Sequence, residues 1–150
     1  MCEHVVIVAH PSIVARFKSD LTVIIDDIQY VGKGPLAGLY TAMQHVTAER
    51  YMVLPCDMPY MTADVCKRVV NEAVNHDGVC AIQLNGQAHP LVSCWNVSTL
   101  NDISNALTSD QLGVMKLLNR VNTTWLDGKQ LTAEAETVFC NVNRLDQWMN

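Results

Sequence analysis

Three short apolar runs punctuate the first third of the chain: residues 4–8 (HVVIV), 21–25 (LTVII) and 51–54 (YMVL). Continuous, β-branched runs of this length predict strands buried on both faces. Between the second and third, Leu36, Leu39, Tyr40, Met43 and Val46 recur at helical spacing, an apolar stripe on one face of a helix that Pro35 is suited to begin. Residues 11–18 predict a shorter helix. Thr62 is placed to cap another, with Val65, Val69 and Val70 turned inward. Residues 79–84 (VCAIQL) and 90–95 predict two strands joined at Asn85-Gly86, a strong hairpin signal. Ser98 predicts the cap of a helix carrying Ile103 and Leu107, and a second helix is predicted over 110–121 through Leu112, Met115 and Leu118. Late short strands are predicted over 123–126 and 137–142, and a final helical turn over 144–149. Strands alternating with helices predict an α/β fold of Rossmann-like, three-layer, doubly wound type, with a mainly parallel sheet and a small antiparallel hairpin.

Composition narrows the class. The length of 150 residues predicts one domain, and a 49% hydrophobic content supplies a sizeable core. No apolar run approaches the ~18 residues of a membrane span, and no basic segment precedes the first run, which argues against a secretory signal. Cys2, Cys56, Cys66, Cys80, Cys94 and Cys140 form no CxxC pair and no zinc-finger spacing. They read as free, mostly buried thiols in a reducing cytoplasm. A net charge of -5 disfavours a nucleic-acid partner but leaves room for a small anionic substrate at a locally positive site.

Ligands of open parallel sheets bind beyond the carboxyl ends of strands. Asp26-Asp27 follows the second run and Asp57 the third. A carboxylate there suits magnesium, a hard cation that prefers oxygen, and it equally suits a turn or a helix cap. Asp27 reads closer to a plain turn residue. Gly34, Pro35, Leu36, Ala37 and Gly38 open a helix whose free N–H groups could bind an anion or a base carbonyl; a proline-initiated helix with a packing glycine has the same pattern. His89 before Pro90 could touch a phosphate or simply end a strand at the surface. Asn141 and Asn143 alternate around Val142, so both amides would share one side of a strand. They suit a polar heterocycle or a strand-end turn.

Taken in order, residues 34–39 (GPLAGL), 53–61 (VLPCDMPYM), 88–95 (AHPLVSCW) and 139–143 (FCNVN) resemble the molybdenum-cofactor guanylyltransferase (MobA) family. The resemblance covers nearly the whole chain; PCDMP alone recurs across nucleotidyltransferases. It implies the nucleotide-diphospho-sugar transferase type of fold. It also implies transfer of GMP from GTP to molybdopterin, with pyrophosphate release, magnesium as the metal, and GTP and molybdopterin as substrates. Other proteins of molybdenum-cofactor synthesis would be further partners. By the same resemblance Asp57 would bind magnesium, and Asp26, with Asp27 adjacent, would contact the nucleotide. Residues 34–38 would read guanine rather than cytosine, and His89, Pro90, Asn141 and Asn143 would lie on the molybdopterin side. Two departures stand out. The family opens with a strand and a glycine-rich LAGGxSxRMGxDK loop that cradles the β- and γ-phosphates. This chain opens at Met1-Cys2-Glu3, so a member incomplete at its amino terminus and impaired in phosphate grip is expected. Val8 also stands where the family often has asparagine. The alternatives are a related nucleotidyltransferase using another phosphorylated acceptor, such as a sugar or lactyl phosphate, and a non-catalytic nucleotide-binding remnant.

Overall fold

A computed structural model describes residues 2–143 of the chain. Asn85 and Gly86 hold φ values of 51° and 79°, the paired left-handed residues that match a hairpin turn to strand twist. They join β4 (Val79–Leu84) to β5 (Gln87–Asn96). β5 also pairs antiparallel with β3 (Arg50–Val53), and β4 pairs parallel with β6 (Thr123–Asp127), giving the order β3-β5-β4-β6. The β4–β5 register runs through Cys80↔Cys94 and Ala81↔Ser93, then jumps to Ile82↔His89. Residues 90–92 are therefore looped out of the ladder, a place where Pro90, with no N–H to donate, costs nothing. The Ser93 hydroxyl fastens this bulge, donating to the Pro90 carbonyl at 2.8 Å and accepting from the Trp95 indole N–H at 2.8 Å.

Side chains of β4 alternate between two cores. Val79 and Ala81 pack with Trp95 against α1 (Pro35–His45), α3 (Leu100–Thr108) and α4 (Val114–Leu118). Cys80, Ile82 and Leu84 pack with Val92 and Cys94 against α2 (Ala63–Ala73), α5 (Gly128–Leu131) and α6 (Ala135–Val138). The sheet is thus covered on both faces, the three-layer arrangement the alternating pattern predicted. The stripes on α1 and α2 behave as read: Leu36, Leu39 and Met43 are buried, as are Val65 and Val69, and the Thr62 hydroxyl accepts the Val65 N–H at 3.3 Å.

Several local readings fail. β1 (Val6–Val8) and β2 (Thr22–Ile24) pair in parallel as a separate two-stranded sheet and are only half-buried, not covered on both faces. Leu21, Ile25 and Val5 at their ends are exposed, because a two-stranded ribbon has little surface under which to hide them. Residues 11–18 contain a 3-10 helix, Pro11–Arg16, with no buried residue to anchor a longer α-helix. The helix predicted over 110–121 shrinks to α4, with Leu117 and Leu118 inward and Met115 exposed. Asp110 has φ 56°, and the Asp110 and Gln111 N–H groups return to the Leu107 and Ala106 carbonyls. This left-handed cap closes α3 at the boundary between the two predicted helices and delays the second until Val114. Residues 137–142 form no strand. Ala135, Val138 and Phe139 are buried at helical spacing, and no strand follows α6 among the described residues. The cysteines are also less buried than expected: Cys80 and Cys94 are in the core, but Cys2, Cys56 and Cys140 are exposed. The turn predicted over 144–149 lies outside the described residues. No helix among those described is long and apolar enough to cross a membrane.

Candidate functional site

Two groups of side chains gather at the strand ends. The first joins the end of β2 to the start of α1. Gly34 takes φ 75° as the N-cap of α1, a backbone state that an L side chain enters only with strain. Its carbonyl accepts the Ala37 and Gly38 N–H groups. Leu36 and Ala37 are fully buried, so whatever they offer a ligand comes from the backbone. Gly34 and Pro35 are exposed. Gly38 faces Val8 and Asp26: a Cβ built there would lie 3.6 Å from Val8 Cγ1 and 3.7 Å from Asp26 Oδ1. The departure at Val8 therefore has a local reason, since its methyl packs against the bare glycine.

The two adjacent aspartates do different work. Asp27 is spent on its own turn: Oδ1 accepts the Gln29 N–H at 2.9 Å, and its N–H reaches the buried Thr41 hydroxyl at 2.9 Å. Asp26 has no hydrogen bond among the described residues and turns its carboxylate to Gly38. Burial pushes its carboxyl above the usual aspartate value, and the nearby His10 partly counters this. A raised folded pKa means that ionised Asp26 costs stability, a cost that appears as pH rises through the folded pKa and is absent at acid pH. Asp26→Asn is accordingly expected to raise the melting temperature at pH 7, with the gain vanishing towards pH 3, while nucleotide binding falls. Melting curves across that range, with and without GTP, check both. A carboxylate kept at a cost to the fold is a candidate for function rather than structure.

The second group is built around Asp57, just past β3. Its carboxylate Oδ2 accepts the Asn141 side-chain N–H at 2.9 Å, and its carbonyl accepts the Val142 N–H at 2.7 Å. Val142 is buried while Asn141 and Asn143 are exposed, so the alternation read in the sequence survives although the strand does not. His89 is not the surface strand-end residue expected. It is 9% exposed, and its ring lies 5.9 Å from that of Phe139. Burial lowers its pKa, which keeps the imidazole neutral at pH 7. Phe139 also closes on Gly128, where a Cβ would stand 2.8 Å from its ring. No pattern in the sequence announces the Asn141–Asp57 bond, because it spans 84 positions. The proximity of His10 to Asp26 is likewise invisible to sequence reasoning.

Among the described residues no three His, Cys, Asp or Glu side chains cluster as a metal site. Asp57 can thus offer one carboxylate. That suits magnesium, which keeps waters and arrives with substrate phosphates, and does not suit a cation needing an all-protein cage.

The MobA-like NTP transferase domain matches residues 1–124. The chain belongs to this family. A probable molybdenum cofactor guanylyltransferase of Geobacillus sp. (strain WCH70) is 34% identical over 143 residues, spanning 94% of this chain and 73% of the relative. One of the same description from Bacillus cytotoxicus is 28% identical, spanning 97% and 74%. The crystal structure of molybdopterin-guanine dinucleotide biosynthesis protein A from Archaeoglobus fulgidus superposes with a TM-score of 0.79 at 19% identity, covering 94% of this chain and 73% of that one. A putative protein of Aquifex aeolicus gives 0.78 at 22%, covering 95% and 72%. The fold is therefore that of the MobA-type nucleotidyltransferases, and the family makes this chain a nucleotidyltransferase.

Proposed function

We propose that the protein transfers GMP from GTP to molybdopterin, forming the guanine dinucleotide cofactor. The observation that carries this reading is the 34% identity to a probable molybdenum cofactor guanylyltransferase across almost the whole chain. The acceptor's terminal phosphate oxygen forms a bond to the α-phosphorus of GTP, the bond from that phosphorus to the bridging oxygen breaks, and pyrophosphate leaves. Asp57 would hold magnesium, which when bound supplies positive charge against the phosphates. Asp26 accepts a hydrogen bond from the nucleotide, and Gly38, with no side chain, leaves room for the Asp26 carboxylate to lie against α1. Residues 34–38 present guanine with fixed backbone groups. Asn141, Asn143, His89 and Pro90 line the acceptor side. Because His89 is buried and neutral, its part there is to shape the wall through Phe139 rather than to carry charge to a phosphate.

A site that pairs polar base edges rejects bases that leave those groups unpaired. Competition among GTP, ATP and CTP should favour GTP by about tenfold or more. Gly38→Ala should weaken GTP binding with no loss of thermal stability, since a methyl there meets only ordinary contacts and alanine favours a helix by about 1 kcal/mol. Equal binding of the three nucleotides contradicts the assignment of the loop.

A further inference from the structure

The clasp between Asp57 and the segment after α6 has two parts that differ in what they can do. The backbone part, Val142 N–H to Asp57 carbonyl at 2.7 Å, is backed by the buried Val142 side chain. It fastens residues 139–143 to the loop after β3. The side-chain part, Asn141 Nδ2–H to Asp57 Oδ2 at 2.9 Å, is exposed and adds little to stability. What it does add is orientation. A free aspartate at a strand end samples several rotamers. With Oδ2 held by an amide donor, one rotamer is selected and Oδ1, which has no hydrogen-bond partner among the described residues, is left to face a ligand.

We propose that Asn141 is a positioning residue for the Asp57 carboxylate: its amide holds Oδ2 so that Oδ1 is presented to the magnesium that accompanies the nucleotide. The inference rests on the reading of Asp57 as the metal-holding group. It moves Asn141 from the acceptor side alone to the nucleotide half of the reaction. Partners that orient a metal-binding carboxylate commonly change metal affinity by about 10–100-fold.

The test is Mg2+ dependence of GTP binding, followed by calorimetry in the wild type, Asp57→Asn, Asn141→Ala and the double variant. Asn141→Ala keeps Val142 and its backbone bond, so the variant is expected to fold, and circular dichroism melting verifies that. The Mg2+ concentration at half-maximal GTP binding should rise about tenfold in Asn141→Ala, at the low end for such partners. The same change in the Asp57→Asn background should add nothing, because the amide then has no carboxylate to orient. Asn141→Ser, which keeps a short donor, should recover part of the shift. If the Asn141→Ala midpoint stays within about twofold of wild type, or if the shift is as large without Asp57, the positioning role is overturned while the metal reading stands. If wild-type GTP binding is independent of Mg2+ or absent, the reading of Asp57 fails and this proposal fails with it.

Discussion

Asp57→Asn is expected to lower GMP transfer by about a hundredfold at saturating magnesium, with the melting temperature nearly unchanged. The magnitude is that of losing one fixed electrostatic element from a phosphoryl-transfer site, about 3 kcal/mol. The fold should persist because both bonds that tie this loop to residues 141–142 can survive the change. The backbone bond from Val142 does not involve the side chain at all. The amide that replaces the Asp57 carboxylate still presents an oxygen to the Asn141 donor. What disappears is the negative charge. Steady-state rates over a magnesium series, paired with a melting curve, separate the two effects. A rate within about threefold of wild type at high magnesium would remove Asp57 from the metal and leave it as a turn residue.

Gly78→Ala is expected to be the most damaging change to the fold, costing about 3 kcal/mol or more. Gly78 sits at φ 96°, and a Cβ there would collide with the Asn122 carbonyl oxygen. That oxygen accepts the Val79 N–H at 2.9 Å, and the Gly78 carbonyl accepts the Asn96 N–H at 2.8 Å. The glycine therefore stands where β4 begins to pair with both β5 and β6, and the clashing atom is backbone that cannot swing aside. Relief would require β6 to move, opening the parallel edge of the sheet. Chemical denaturation should show a lowered midpoint with the wild-type slope if the sheet persists. Gly86, with open space around it, provides the comparison: its alanine variant suffers only the backbone strain of positive φ, about 1–2 kcal/mol. Equal losses at the two sites would show that the close approach to Asn122 is unimportant.

The hydrophobic pattern by itself determined the α/β class, the hairpin at Asn85-Gly86 and the inward faces of α1 and α2. Those features follow from local chemistry: the period of apolar residues, two residues able to take positive φ, and a threonine ready to accept an N–H. The motif order around Gly34–Gly38, Asp57 and Asn141–Asn143 was enough to point to the family. Tertiary structure decided the rest. Asp27 reads as the turn residue of the Asp26-Asp27 pair, but only the fold shows its engagement with Thr41 and Gln29, which leaves Asp26 facing Gly38. His89 reads as a surface residue until the β4–β5 register shift turns it onto Phe139. The helix over 110–121 reads as starting at Asp110 because aspartate seldom signals a left-handed cap, and only the hydrogen bonds from Asp110 and Gln111 back into α3 show that these residues close the preceding helix instead. Asn141 meets Asp57 because β3 and α6 deliver their following segments to the same end of the sheet. A contact across so many positions is set by how layers pack, and no local periodicity encodes it.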